Sequence, residues 1–249
     1  MLIFLVVVAF ATKAQELRVC GEDADYSPYI NDQGQGILKD LVELAAVQSG
    51  LTVHYAHRPL KRCQLMVHQG ELDAMMAIGW TEERGKSLIY PMDDQRQLRE
   101  SQRIWLSEFV LFTHKDSVIE WDGEAFKGLT FGVGTPLGYV SEQRLKQLKA
   151  LSPNSVTLEQ GLTLVSLERL DGYVTERQIG WQAAKKLGLE AKLKILPTPL
   201  LELPWFVAFS PRYFQENPAQ VIRFWRALAA ERERNVELLK RRYDLTTKP

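Results

Sequence analysis

Hydrophobic positions along the chain fall into two alternating patterns. Short apolar runs bounded by Gly or polar residues read as strands. Between them, apolar residues recur every three to four positions, as on one face of a helix. Residues 17–20 read as a first strand. Across residues 36–50, Ile37, Leu38, Leu41, Leu44 and Ala45 keep the helical period, and Gly50 supplies a stop. Strands are predicted at residues 51–55 and 72–78 around a helix at 61–69, followed by a longer extended stretch at 103–113. The pattern resumes with a strand at 129–133, a helix at 139–148, a strand at 155–158 and a helix through Leu167. A strand at 172–175, a helix at 176–187 stopped by Gly188, strands at 192–196 and 205–210, and a charged helix at 218–241 complete it.

This alternation predicts an α/β fold with mainly parallel strands. The Pro-marked stretch 197–204 and the region 107–111 are the expected crossings between two lobes. Residues 15–109 and 205–249 would then form one lobe, and residues 110–204 the other. Ligands in such folds bind beyond the carboxyl ends of the strands, so the cleft between the lobes is the expected site.

The first residues read differently. Residues 2–11 are an unbroken apolar run, too short to span a bilayer. Followed by Thr12-Lys13-Ala14-Gln15, the run matches a secretory signal cleaved after Ala14, which predicts residues 1–14 as a leader and export to the periplasm. Composition narrows the function. With 31 basic and 31 acidic residues the chain has no net charge, which argues against a general nucleic-acid binder. Two cysteines cannot build a zinc ribbon. In an oxidising compartment Cys20 and Cys63 can form one disulfide or remain two buried thiols.

Enzyme motifs are mostly missing: there is no Gly-x-Ser-x-Gly elbow, no His-Glu-x-x-His and no phosphate loop. The run from Gly132 to Gly138 places its third glycine one position late for a dinucleotide fingerprint, and reads as a turn whose free N–H groups can hold an anion. His54, His57, His68 and His114 do not cluster, so no metal or other cofactor is expected. The cluster Glu22-Asp23-Ala24-Asp25-Tyr26-Ser27-Pro28-Tyr29 directly follows the first strand; its rings and carboxylates suit a ligand with a cationic group and a flat apolar part. Arg84, after Trp80-Thr81-Glu82-Glu83, can grip a carboxylate with two donors or form a surface ion pair.

Taken in order, these pieces resemble a family. They are the acidic-aromatic loop, Gly36-Ile37-Leu38-Lys39-Asp40-Leu41, Gly70-Glu71-Leu72-Asp73-Ala74, Thr81-Glu82-Glu83-Arg84, the turn from Gly132 to Tyr139, and Asp171-Gly172-Tyr173-Val174-Thr175-Glu176. Over the whole mature chain they resemble the periplasmic solute-binding proteins of polar-amino-acid ABC transporters, which have the type II periplasmic-binding-protein fold: two lobes, each a mixed, mostly parallel sheet flanked by helices. The resemblance implies a ligand-binding set of Asp23, Tyr26, Tyr29, Trp80, Thr81, Arg84, Thr135, Gly138, Tyr139 and Glu176. Arg84 would clamp an α-carboxylate, Glu176 would accept an α-ammonium, Tyr26 would stack on the ligand, and Asp23 would meet a cationic group. The turn from Thr135 to Tyr139 would offer N–H and hydroxyl groups to the carboxylate.

Two positions depart from that pattern. Gly79 stands where the family carries Ser or Thr, with the bulky Trp80 behind it, and Glu176 is one methylene longer than the usual Asp. A related subgroup carries cysteines in the contexts Val19-Cys20-Gly21 and Lys61-Arg62-Cys63, which implies a Cys20–Cys63 disulfide. The resemblance further implies a monomer that binds a small polar solute, is not an enzyme, and has an inner-membrane ABC permease as partner. The alternatives are a sensory or orphan binder, and an enzyme resembling cyclohexadienyl dehydratase with Glu176 as its acid.

Overall fold

The computed structural model describes residues 15–23, 26–31, 34–243 and 245; the predicted leader, residues 1–14, lies outside them. Strand β1 (Gln15–Glu22) begins with exposed residues and is buried from Val19 to Gly21, as a central strand must be. It pairs in parallel with β2 (Leu51–Arg58) on one side and β3 (Ala74–Gly79) on the other. Helices α1 (Ile37–Gln48) and α2 (Leu60–His68) return the chain between these strands, the crossover that parallel pairing needs. α1 buries Ile37, Leu38, Leu41, Val42, Ala45 and Ala46, while Leu44 from the same periodic series faces solvent. Arg18 on β1 clasps Asp73 with Nε and Nη2 at 2.9 and 2.6 Å, and its own backbone N–H donates to the same carboxylate, which ties β1 to the start of β3.

One helical turn, α3 (Glu82–Gly85), and a 3₁₀ turn at Glu100–Gln102 lead into the long strand β4 (Trp105–His114). A small hairpin, β5 (Glu120–Trp121) and β6 (Phe126–Lys127), precedes β7 (Val133–Gly134). Then come α4 (Val140–Gln147), α5 (Leu158–Ser166), β8 (Gly172–Glu176), α6 (Arg177–Lys186) and β9 (Leu193–Ile195). The second long strand, β10 (Leu201–Phe209), is followed by α7 (Pro211–Glu216) and α8 (Pro218–Arg242), which packs on α1.

The main sheet runs β2-β1-β3-β10-β4-β8-β7, with β9 also on β4. β4 and β10 pair antiparallel from Phe109↔Leu201 to Trp105↔Trp205. Beyond Trp205, β10 joins β3; from Phe109 onward, β4 joins β8 and β9. These two strands therefore link two lobes. The first holds β1 to β3, α1 to α3, α7 and α8. The second holds β7 to β9 and α4 to α6, around a core of Val110, Phe112, Leu162, Val165, Tyr173 and Ala184. The antiparallel pairings come from the crossing strands, so the sheet as a whole is mixed.

Several elements differ from the sequence pattern for identifiable reasons. The strand predicted at 155–158 gives way to the start of α5. There Thr157 Oγ1 accepts from Gln160 N, and Gln160 Oε1 accepts from Thr157 N, a capping box that outweighs the β preference of Val156. The strand predicted at 129–133 shrinks to β7, because the Asp171 carboxylate gathers the N–H groups of Thr130, Phe131 and Gly132 into a turn. β10 starts at Leu201, before Pro204, since it pairs with β4 alone until Trp205 and Pro204 therefore stands at an edge.

Cys20 and Cys63 are bonded, with their Cα atoms 5.7 Å apart. The bridge joins β1 to α2 within a cluster containing Val67, Leu72, Met75 and Ile78, and it closes a loop with a sequence separation of 43. Closing a loop of this size restricts the unfolded chain and contributes about 2–4 kcal/mol. Replacing both cysteines by Ala should lower the melting temperature by about 5–15 °C in calorimetry; an unchanged transition would show that the bridge adds no stability.

Candidate functional site

Glu22 ends β1, at the carboxyl edge of the parallel strands, where the second lobe faces the first. Its Oε2 accepts the Tyr26 hydroxyl at 2.8 Å, and both of its oxygens lie 3.2–3.3 Å from the hydroxyl of Tyr139 in the second lobe. Burial pushes its carboxyl up to about 7; the Tyr139 hydrogen bond opposes this, nearby Asp23 adds to it, and the positive charge of Arg84 opposes it.

Arg84 is placed by α3. Thr81 caps that turn, its Oγ1 accepting from Arg84 N at 3.1 Å. The guanidinium then folds back to the Gly79 carbonyl at 2.9 Å and reaches across to the Gly138 carbonyl at 3.4 Å. Gly138 can present that carbonyl because it has φ +82°, a conformation that suits glycine, while its N–H donates to Glu142 at 2.6 Å. Burial depresses the Arg84 pKa, and Tyr90, Glu83 and Glu22 counter this.

Glu176 closes β8 and caps α6. Its Oε2 accepts from the N–H groups of Gln178 and Ile179 at 2.8 and 3.0 Å, and its Oε1 accepts the Tyr29 hydroxyl at 2.8 Å. Trp105 Nε1 donates in turn to the Tyr29 hydroxyl, and the Tyr29 ring stands edge-on to Trp105 and Trp205 at 5.5 Å from each. Burial raises the Glu176 carboxyl to about 7 despite these donors.

Between the lobes lie two chambers that share Glu22, Tyr26, Phe109, Tyr139 and Trp205. The first lies against lobe 1 and is walled by Leu60, Leu203, Arg84 and consecutive residues of β3, Met75 to Gly79. A regular strand shows only alternate side chains to one face. β3 shows more because it is bulged: Met76 and Ala77 stand opposite the single Val207, and Ala77 takes φ +59°. The second chamber is walled by Pro136, Leu137, Val156, Thr157, Thr175, Glu176 and Ile179.

Of the residues singled out from sequence, Tyr26, Arg84, Tyr139 and Glu176 line these chambers. Tyr29 is buried as a brace on Glu176, and Thr81 serves as the helix cap that positions Arg84. Gly138 contributes its backbone carbonyl to Arg84. The Thr135 hydroxyl is turned to Ser141 at 2.6 Å, beside a separate hollow of lobe 2. Asp23 is exposed, and the Trp80 indole lies over Gly85. Sequence reasoning passed over Glu22 in favour of Asp23, because the strand read from the pattern stops at residue 20 whereas β1 runs on to Glu22 and carries it to the cleft edge. It also missed Phe109 and Leu203, because their stretches read as crossings rather than as walls, and Trp205, which read as the start of a strand.

The raised carboxyls set a direction for stability. Between their ordinary value of 4.5 and about 7, folded protein keeps protons on Glu22 and Glu176 that unfolded protein has released. Their contribution is therefore fully present below the ordinary value and is lost as pH rises through about 7. Ligand-free protein should melt at a higher temperature near about pH 5.5 than near about pH 8, and Glu22→Gln should flatten part of that slope. A melting temperature that rises steadily over the same range would contradict the burial of these carboxyls.

No protein-family profile matches the sequence, and no curated protein matches it. Solved structures do. A histidine kinase sensor domain with similarity to periplasmic binding proteins superposes with a TM-score of 0.72 at 19% identity, covering 96% of this chain and 100% of that one. The GluR0 ligand-binding core from Nostoc punctiforme, in complex with L-glutamate, gives 0.68 at 14% identity, covering 91% and 98%. An ancestral amino acid-binding protein, a precursor of cyclohexadienyl dehydratase, gives 0.66 at 20% identity, covering 92% and 95%. With its crossing strands and the cleft between its lobes, the chain has the two-lobed type II periplasmic-binding-protein fold.

Proposed function

We propose that the protein is an exported, monomeric binding protein that captures a small zwitterion, an amino acid or a compound of similar charge layout, by closing its lobes around it. The observation that carries this reading is the chamber holding both Arg84 and Glu22, where Gly138 bonds the first and Tyr139 the second from the opposite lobe. A ligand carboxylate would take the guanidinium donors of Arg84 that are left over, and its ammonium the remaining lone pairs of Glu22. Closure would shield both pairs from water and strengthen them. Engagement of both Glu176 oxygens supports a binding role over acid–base chemistry. The Cys20–Cys63 bridge supports a periplasmic location.

In this reading the loaded, closed form is handed to an inner-membrane ABC permease. A sensory output is the second reading, favoured by the sensor-domain likeness over nearly the full length of both chains. Measuring uptake of the ligand by cells lacking the protein separates the two, because only a transport role requires uptake to fall.

Arg84→Ala should weaken binding of a carboxylate ligand by roughly 100-fold in calorimetry, since it removes one member of a buried charge pair; unchanged affinity would remove the clamp assignment. Affinity for an ammonium-bearing ligand should rise about tenfold or more between about pH 5.5 and about pH 8, because Glu22 accepts the ammonium only when ionised. Glu22→Gln should abolish that rise, and a pH-independent wild type would contradict the role of Glu22.

A further inference from the structure

We infer that the ligand carries an apolar side chain, and that Leu203 packed against Gly79 sets this preference. The inference rests on the zwitterion reading, in which the two charged ends of the ligand occupy Arg84 and Glu22. Beyond these charged groups and the tyrosines on Glu22, the larger side chains of the lobe 1 chamber are apolar in body: Leu60, Met75, Met76, Ile78, Leu203 and the indole of Trp205. Met75, Met76 and Ile78 are almost wholly buried.

The polar side chains of this chamber bond one another, and what Arg84 and Glu22 have left over is taken, in the zwitterion reading, by the charged ends of the ligand. Tyr26 and Tyr139 donate to Glu22, and Arg84 donates to the carbonyls of Gly79 and Gly138. The Gly79 carbonyl also accepts the Tyr90 hydroxyl at 3.2 Å. A ligand amide or hydroxyl pushed past Glu22 would lose its water and meet carbon and sulfur, at the cost of an unpaired buried polar group. An apolar side chain would lose nothing there. The two methionines, unbranched and polarizable, can adjust to its shape.

Leu203 occupies the place a side chain at position 79 would need. A Cβ on Gly79 would lie 2.6–2.9 Å from Leu203 Cδ2, Cγ and Cδ1, closer than carbon atoms tolerate. Leu203 is held there by β10, where it pairs with Ser107 of β4 just before β10 reaches β3 at Trp205. Gly79 and Leu203 thus act together: the absent side chain admits the leucine, and the leucine turns that wall apolar.

The test compares L-methionine with L-glutamine, which are similar in length and differ in the polarity of the side chain. Calorimetry on the wild-type protein should show methionine binding at least about tenfold tighter. Glutamine binding as tightly or more tightly would overturn the inference while leaving the zwitterion reading intact. Binding by none of the standard L-amino acids would overturn both. Leu203→Asn, with folding checked by thermal melting, should bring the methionine-to-glutamine ratio close to unity; an unchanged ratio would remove Leu203 as the determinant. Leu203→Ala adds no polar atom and keeps the residue testable if the Asn variant does not fold. It should shift preference toward L-phenylalanine relative to L-methionine by filling the vacated space, and an unshifted preference would also count against Leu203.

Discussion

The antiparallel pairing of β4 and β10 is the constraint on which the rest of the molecule hangs. Each strand is long enough to belong to both lobes. β10 hands over from β4 to β3 at Trp205, and β4 hands over from β10 to β8 at Phe109. The residues at these handovers are also the floor of the cleft: Trp205 and Phe109 line both chambers, and Trp105 with Trp205 braces Tyr29. The joint between the lobes and the walls of the cleft therefore share the same side chains, and a change in strand angle at the crossing is felt directly in the cleft.

Two glutamates sit on this floor in similar circumstances and serve different ends. Both end a strand, both are driven toward the neutral form by burial, and both accept a tyrosine hydroxyl from the opposite lobe. The difference lies in what remains available. Glu176 also caps α6, so its two oxygens are committed to the protein. Glu22 receives phenols alone and keeps acceptor capacity facing the chamber. The resemblance implies the ammonium acceptor at Glu176; in the proposed reading Glu22 takes that role, because both oxygens of Glu176 are bonded within the protein and Glu176 braces Tyr29.

Much of the architecture was legible in the sequence because it rests on local periodicity. The helical series from Ile37 and the glycine stop at Gly50 needed no tertiary knowledge, and neither did the alternation that implied parallel crossovers. Arg84 stood out through its two-donor chemistry and through the resemblance; that Thr81 caps the turn that aims it emerges only in the fold. What stayed hidden depends on partners distant in sequence. Asp171 reorganises residues 130–132 from just before β8, about forty positions on in the chain. Leu203 matters only because β10 lays it against Gly79. The bulge at Ala77 exists only where β3 meets β10, and no composition announces it.

The most direct test of the two-lobed capture site is a crystal structure of the protein with its tightest-binding amino acid. The ligand should lie in the chamber between the lobes, with its carboxylate on the Arg84 guanidinium and its ammonium on Glu22, while Tyr139 and Gly138 keep their bonds across the cleft. A ligand seated in the outer hollow beside Thr135, or one in the cleft that touches neither Arg84 nor Glu22, would contradict it.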